Sequence, residues 1–108
     1  MTTPRRILLG LLAAACLPTI AAAQEFTLRM HQFLPAQANV PAHILDVWAD
    51  RVEADSDGRI KIDRFPSMQL GGSPPQLIDQ AIDGVADIIW TVAGYTPGRF
   101  PQLEVFEL

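Results

Sequence analysis

The chain has 108 residues, with 8 basic against 12 acidic side chains and a net charge of −4 at pH 7. That length allows one small core, and an acidic balance without basic clusters argues against nucleic acid or an anionic membrane surface as partner. The single cysteine, Cys16, excludes a disulfide framework and a cysteine-based zinc site.

The N-terminus reads as a targeting segment. Arg5 and Arg6 precede the apolar run "ILLGLLAAACL", eleven residues long and too short for a permanent membrane span. Small residues follow in "AAAQ", so a secretory signal over 1–23 is expected, cleaved between Ala23 and Gln24. Export by the general secretory route fits better than the twin-arginine route, because the residues flanking Arg5-Arg6 are ordinary. Cys16 reads as a small hydrophobe of this run, since Ala13 stands where a lipidation site favours a large apolar residue. Losing Arg5 and Arg6 moves the net charge from −4 to −6 and leaves 85 of the 108 residues, none a cysteine. A periplasmic location without membrane insertion of the mature segment follows as the expectation.

In "FTLRMHQF" (26–33), Phe26, Leu28 and Met30 alternate with Thr27, Arg29 and His31, the period of a strand. "LPAQANVP" is a loop, with Asn39 as helix cap and Pro41 in the first turn. Ile44, Val47, Trp48 and Val52 then recur at helical spacing and predict the inward face, and Gly58 closes this helix as a left-handed cap. "RIKIDRF" (59–65) predicts a second strand, stopped by Pro66. A second helix is expected over 74–83, with Leu77, Ile78, Ala81 and Ile82 inward and Gly84 ending it. "ADIIWTV" (86–92) is nearly all apolar, as in a parallel strand covered on both faces. The order β-α-β-α-β with right-handed crossovers predicts an α/β fold with a three-stranded parallel sheet and the first strand in its middle. The tail "AGYTPGRFPQLEVFEL" ends in apolar Val105, Phe106 and Leu108 without partner elements, so a truncated chain and an incomplete sheet are expected.

The joint "LGGSPPQ" invites a phosphate-loop reading, but such a loop works through free backbone N–H groups aided by a lysine. Pro74 and Pro75 have no N–H, and neither Gly-Lys-Ser/Thr nor G-x-G-x-x-G occurs. The residues instead predict a helix start: Ser73 caps, Pro74 pre-sets the first turn, and Gln76 completes a capping box.

Gly58-Arg59-Ile60, Phe65-Pro66, Gln69-Leu70-Gly71 and Gly84 with Asp87 stand in order, followed by "FPQLEVFEL". This series, over 28–108, resembles the TRAP-type (tripartite ATP-independent periplasmic, DctP-like) solute-binding proteins. The resemblance implies a two-lobed protein of the type II periplasmic-binding class, of which 24–108 is the N-terminal part of lobe 1. It further implies capture of a small organic acid, a carboxylate, for import by membrane permease subunits driven by an ion gradient. In that family an arginine downstream of this region pairs with the substrate carboxylate, and Arg64 or Arg99 is no substitute for it.

In open parallel sheets ligands sit beyond the carboxyl ends of the strands, which points to Gln32 and Phe33, Trp90 and Thr91, and the helix start at Ser73. Gln32 and Phe33 offer an amide and a ring, or simply end a strand. Trp90 reads equally as a ring stacked on a substrate's apolar body or as packing inside a buried strand. Thr91 offers a hydroxyl, and Ser73 is a ligand contact only if the cap releases it. No catalytic, metal or cofactor site is expected. His31 and His43 lack acidic or cysteine partners at metal spacing and read as polar strand and helix residues. Asp79 and Asp83 read as a solvated helix face, and no nucleophile has a base at recognisable spacing. Two alternatives stay open: a binding lobe serving an ABC importer or sensor, and a small exported α/β hydrolase using His31 or His43.

Overall fold

The structure is a computed structural model that describes residues 23–107. The predicted signal sequence up to Ala22, Cys16 within it, and Leu108 lie outside the described residues. Three strands, β1 (Phe26–Gln32), β2 (Ile60–Phe65) and β3 (Ile88–Trp90), form one parallel sheet in the order β2-β1-β3. The first strand is central, an order that right-handed crossovers produce when the two helices lie on opposite faces of the sheet. A π-helical turn (Pro41–Leu45) leads into α1 (Asp46–Asp55), and a 3-10 turn (Pro74–Gln76) leads into α2 (Leu77–Ile82). After β3 come a 3-10 turn (Ala93–Tyr95), the short α3 (Pro101–Glu104) and a last 3-10 turn (Val105–Glu107).

The two helices cover opposite faces of the sheet. Met30 of β1 clusters with Ala49 of α1 and Ile62 of β2, flanked by Leu28, Leu45, Val52, Ile60 and Ile88. The next residue, His31, points the other way and bonds to Gln80 of α2, on the side where Leu77 is wholly buried. The period of two along β1 therefore holds, with Thr27 and Arg29 of the polar row exposed and its last member enclosed. His31, expected as an ordinary polar strand residue, is fully buried.

The face of α1 corrects the sequence expectation. Ile44, Val47 and Trp48 are exposed, by 59%, 57% and 46%. The row on the sheet is Pro41, Leu45, Ala49 and Val52 instead. Two apolar rows compete on this helix, and the one with a small residue at its centre lies closest: Ala49, with no side chain beyond Cβ, lets the helix axis approach Met30 and Ile62. No side chain caps the helix start, because Val40 before it is already helical (φ −68°, ψ −53°). At its other end the left-handed pair is Asp57 (φ +53°) and Gly58 (φ +75°). Their N–H groups bond to the carbonyls of Ala54 (3.0 Å) and Glu53 (2.9 Å), the two bonds of a Schellman motif. On α2, Ile82 is likewise 67% exposed, not inward. It borders an open apolar hollow of about 490 Å3 shared with Ile78, Ile89, Thr91 and Phe100.

Strand β3 is shorter than the expected 86–92. Asp87 stands just before it, where its carboxylate accepts the Arg29 N–H (2.8 Å) and its own N–H bonds to Arg29 O (2.9 Å). The Arg29 guanidinium reaches Gly84 O at 2.7 Å, so Gly84 and Asp87 together fasten the α2–β3 turn to the central strand.

On the opposite edge, Glu53 of α1 does similar work for β2. Its Oε1 accepts from the Ile62 N–H (2.8 Å) and Lys61 Nζ (3.0 Å), satisfying an edge-strand donor that is otherwise free to pair with another chain. The Ile62 N–H first, and Lys61 next, hold the Glu53 carboxyl below its ordinary value. A carboxyl depressed in the folded state stabilises above its unfolded pKa and loses that contribution as pH falls through the folded value. Glu53→Gln should therefore cost about 1 kcal/mol at neutral pH, measured by denaturant unfolding. The difference from wild type should close as pH falls below the ordinary glutamate range. A difference constant from neutral to acid pH would refute the linkage.

Candidate ligand-binding site

The carboxyl ends of β1 and β3 bring three rings together. Phe33, one residue past β1, stands 5.1 Å from Trp90, the last residue of β3, with ring planes inclined by 30°. Its other neighbour is Tyr95, at 5.4 Å and 57°. The parallel register pairs Gln32 with Trp90, which sets Phe33 beside that indole. The 3-10 turn after β3 then folds Tyr95 back over them. Phe33 and Trp90 are half-buried and Tyr95 is 41% exposed. The result is an aromatic wall of rings that pack on one another and are only partly buried.

The other predicted residues go elsewhere. The Gln32 side chain is buried and occupied, with Nε2 donating to Leu34 O (2.7 Å) and Oε1 accepting the Leu34 N–H. It shapes the loop after β1. Thr91 borders the apolar hollow beside α2, on the face opposite Trp90 by strand alternation. Ser73 lies in the capping box, where Gln76 Oε1 accepts from the Ser73 N–H (2.8 Å) and hydroxyl (3.2 Å). Tyr95 was not among the candidates. Its only sequence signal is an aromatic residue five positions after Trp90 in a turn-forming stretch.

A second hollow, about 240 Å3, opens at the carboxyl ends of β1 and β2 between Gln32, Pro41, Leu45, Arg64 and Phe65. Arg64 is committed there to Asp46 (3.3 Å) and Asp50 (2.5 Å), and Arg99 to Asp79 (2.7 Å). Both guanidinium groups are neutralised by carboxylates of the chain itself. Arg64 Nε, buried at the hollow's wall, has no hydrogen-bond partner among the described residues.

The turn joining β2 to α2 is held against this strand end from two sides. The Ser67 and Met68 N–H groups bond to the carbonyls of Leu34 and Gln32, both at 3.0 Å. To do so, both residues take left-handed φ values, +54° and +56°, each a strain on the order of 1–3 kcal/mol. Farther along, the Leu70 N–H donates to His31 Nε2 (3.2 Å) and Gln80 Nε2 to Gly71 O (2.9 Å).

Comparison with known proteins bears on this geometry. The family described as "Bacterial extracellular solute-binding protein, family 7" (DctP) matches residues 32–108. The chain belongs to the DctP family. The DctP motifs now have physical roles: Gln69-Leu70-Gly71 forms the turn held by His31 and Gln80, and Gly84 with Asp87 fastens β3 to β1. A TRAP solute-binding protein from a marine metagenome, specific for aromatic acid ligands and crystallised with 3-hydroxybenzoate, is 56% identical with a TM-score of 0.75. That match covers 78% of this chain and 26% of the other. A TRAP solute-binding protein from Rhodoferax ferrireducens with copurified benzoate is 57% identical, TM-score 0.72, over 74% of this chain and 25% of that one. The outer membrane transporter protein TsaT of Comamonas testosteroni is 32% identical over all of this chain, which spans 31% of its length. This DctP chain thus spans about a third or less of these relatives. The family and its structural neighbours are solute-binding proteins, not enzymes.

Proposed function

We propose that this chain is part of an extracytoplasmic solute-binding protein that captures an aromatic carboxylate for import by an ion-gradient-driven membrane permease. The observation that carries the reading is the Phe33–Trp90–Tyr95 wall at the carboxyl ends of β1 and β3, where open parallel sheets take their ligands. A flat apolar ring gains most from offset or tilted stacking against other rings. Solved relatives at 56% and 57% identity carry 3-hydroxybenzoate and benzoate, which supports an aromatic over an aliphatic acid. Arg64 and Arg99 have carboxylate partners within the chain, and in this reading the ligand's carboxylate pairs with the family's downstream arginine. That agrees with 24–108 being the N-terminal part of lobe 1, the second lobe and the downstream arginine completing the site. Residues 1–23 are read as the export signal to the periplasm.

Calorimetric titration of the intact protein tests the proposal. Benzoate and 3-hydroxybenzoate are expected to bind at micromolar or tighter Kd, and succinate at least a hundredfold more weakly. Preference for the aliphatic acid would overturn the reading.

A further inference from the structure

We infer that His31 is a positioning residue of the ligand site, tying the turn after β2 to the strand end that carries Phe33 and so holding the aromatic wall in place. The inference rests on the aromatic-acid reading above for its ligand, but its geometry stands on the chain alone. The His31 ring is wholly buried, and both nitrogens are used. Nδ1 lies 2.7 Å from Gln80 Oε1, and Nε2 lies 3.2 Å from the Leu70 nitrogen.

The proton can be assigned from the partners. A backbone N–H only donates, so Nε2 accepts from Leu70, and the ring proton sits on Nδ1. Gln80 agrees with this assignment: its Nε2 donates to Gly71 O at 2.9 Å, which turns Oε1 towards His31 as acceptor. His31, Gln80, Leu70 and Gly71 thus form one closed polar network joining β1, α2 and the turn. Every bond in it has a single polarity, so it specifies one arrangement of the turn.

That arrangement reaches the site through adjacent backbone. Phe33 lies between Gln32 and Leu34, whose carbonyls receive the Met68 and Ser67 N–H groups. Those two residues hold left-handed φ values that few non-glycine residues adopt unaided. Release of Leu70 and Gly71 lets this strained segment relax, and the strand end bearing Phe33 loses its support. His31 acts on the wall through the turn.

The test uses the intact protein with benzoate as probe. His31→Leu removes donor and acceptor together and should raise the benzoate Kd at least tenfold. His31→Gln keeps one donor and one acceptor and should recover most of that loss. Amide hydrogen exchange at Leu70 and the Trp90 indole resonance should follow the same order, free or bound. A His31→Leu protein that folds and binds benzoate like wild type overturns the inference, as does failure of His31→Gln to recover affinity. Should His31→Leu not fold, Gln80→Met cuts the same network from the helix side; an unchanged Kd there overturns it equally. A wild-type protein that ignores benzoate refutes the aromatic-acid reading alone. The Leu70 and Trp90 signals then decide the role of His31 without ligand.

Discussion

Trp90→Ala is expected to weaken benzoate binding by about 2 kcal/mol, near the middle of the range for removing one stacking partner from a planar ring, or roughly thirtyfold in Kd. The reason is the half-buried position of the indole: one part packs 5.1 Å from Phe33, and the remainder is open at the strand end. Phe33→Leu keeps most of the apolar volume but loses the ring, so its effect should be smaller. Because the two rings touch, their effects should not add. A double-mutant cycle should return a coupling of about 0.5–1.5 kcal/mol, the value of an aromatic pair beyond its burial. Succinate binding should hardly respond. Calorimetry alongside thermal unfolding separates the two readings of Trp90. A lower Tm with unchanged benzoate affinity would make it core packing and nothing more.

Gly72→Ala should be the most destabilising single-methyl change in the turn, by about 2–4 kcal/mol. Gly72 has φ +80°, and a Cβ built there would lie 2.7 Å from Gln80 Nε2 and 3.0 Å from Gln76 Oε1. The left-handed backbone alone costs a residue with a Cβ roughly 1–2 kcal/mol. Moving Gln80 aside would break its bond to Gly71 O and disturb its contact with His31, each hydrogen bond being worth about 1 kcal/mol. Moving Gln76 would disturb the capping box at Ser73. By contrast Gly71→Ala, with φ +93° and nothing within 4 Å of the added carbon, should show the backbone cost alone. Denaturant unfolding of the two variants measures the difference. Equal losses would mean that Gln80 relaxes freely and that the network around it specifies little.

Local sequence determined the elements and most of their ends. Alternation along 26–32 marks a strand because successive side chains leave a strand on opposite faces. Ser73-Pro74-Pro75-Gln76 marks a helix start because its donors and acceptors meet within one turn. Gly84 ends α2 because a left-handed residue there (φ +76°) lets the Val85 N–H bond back to Gln80 O at 2.8 Å. The element order and right-handed crossovers called for a parallel sheet; that β1 and not β2 lies in its middle goes with the two helices covering opposite faces.

What the tertiary structure alone decided are choices between local patterns that are equally good. Residues 41–55 carry two apolar rows, and the row through Ala49 won because it packs closer to Met30 and Ile62, leaving Ile44, Val47 and Trp48 outside. His31 reads as polar and outward until α2 covers the second face of the sheet and brings Gln80, 49 residues later in sequence, to its ring. Tyr95 joins Phe33 only because the turn after β3 folds back at the strand end. Ser67 and Met68 adopt left-handed backbone where the carbonyls of Leu34, just past β1, and Gln32, its last residue, accept their N–H groups. Sequence patterns report interactions within a few residues. The candidate site is assembled from segments dozens of residues apart, and packing on both faces of one sheet selects its members.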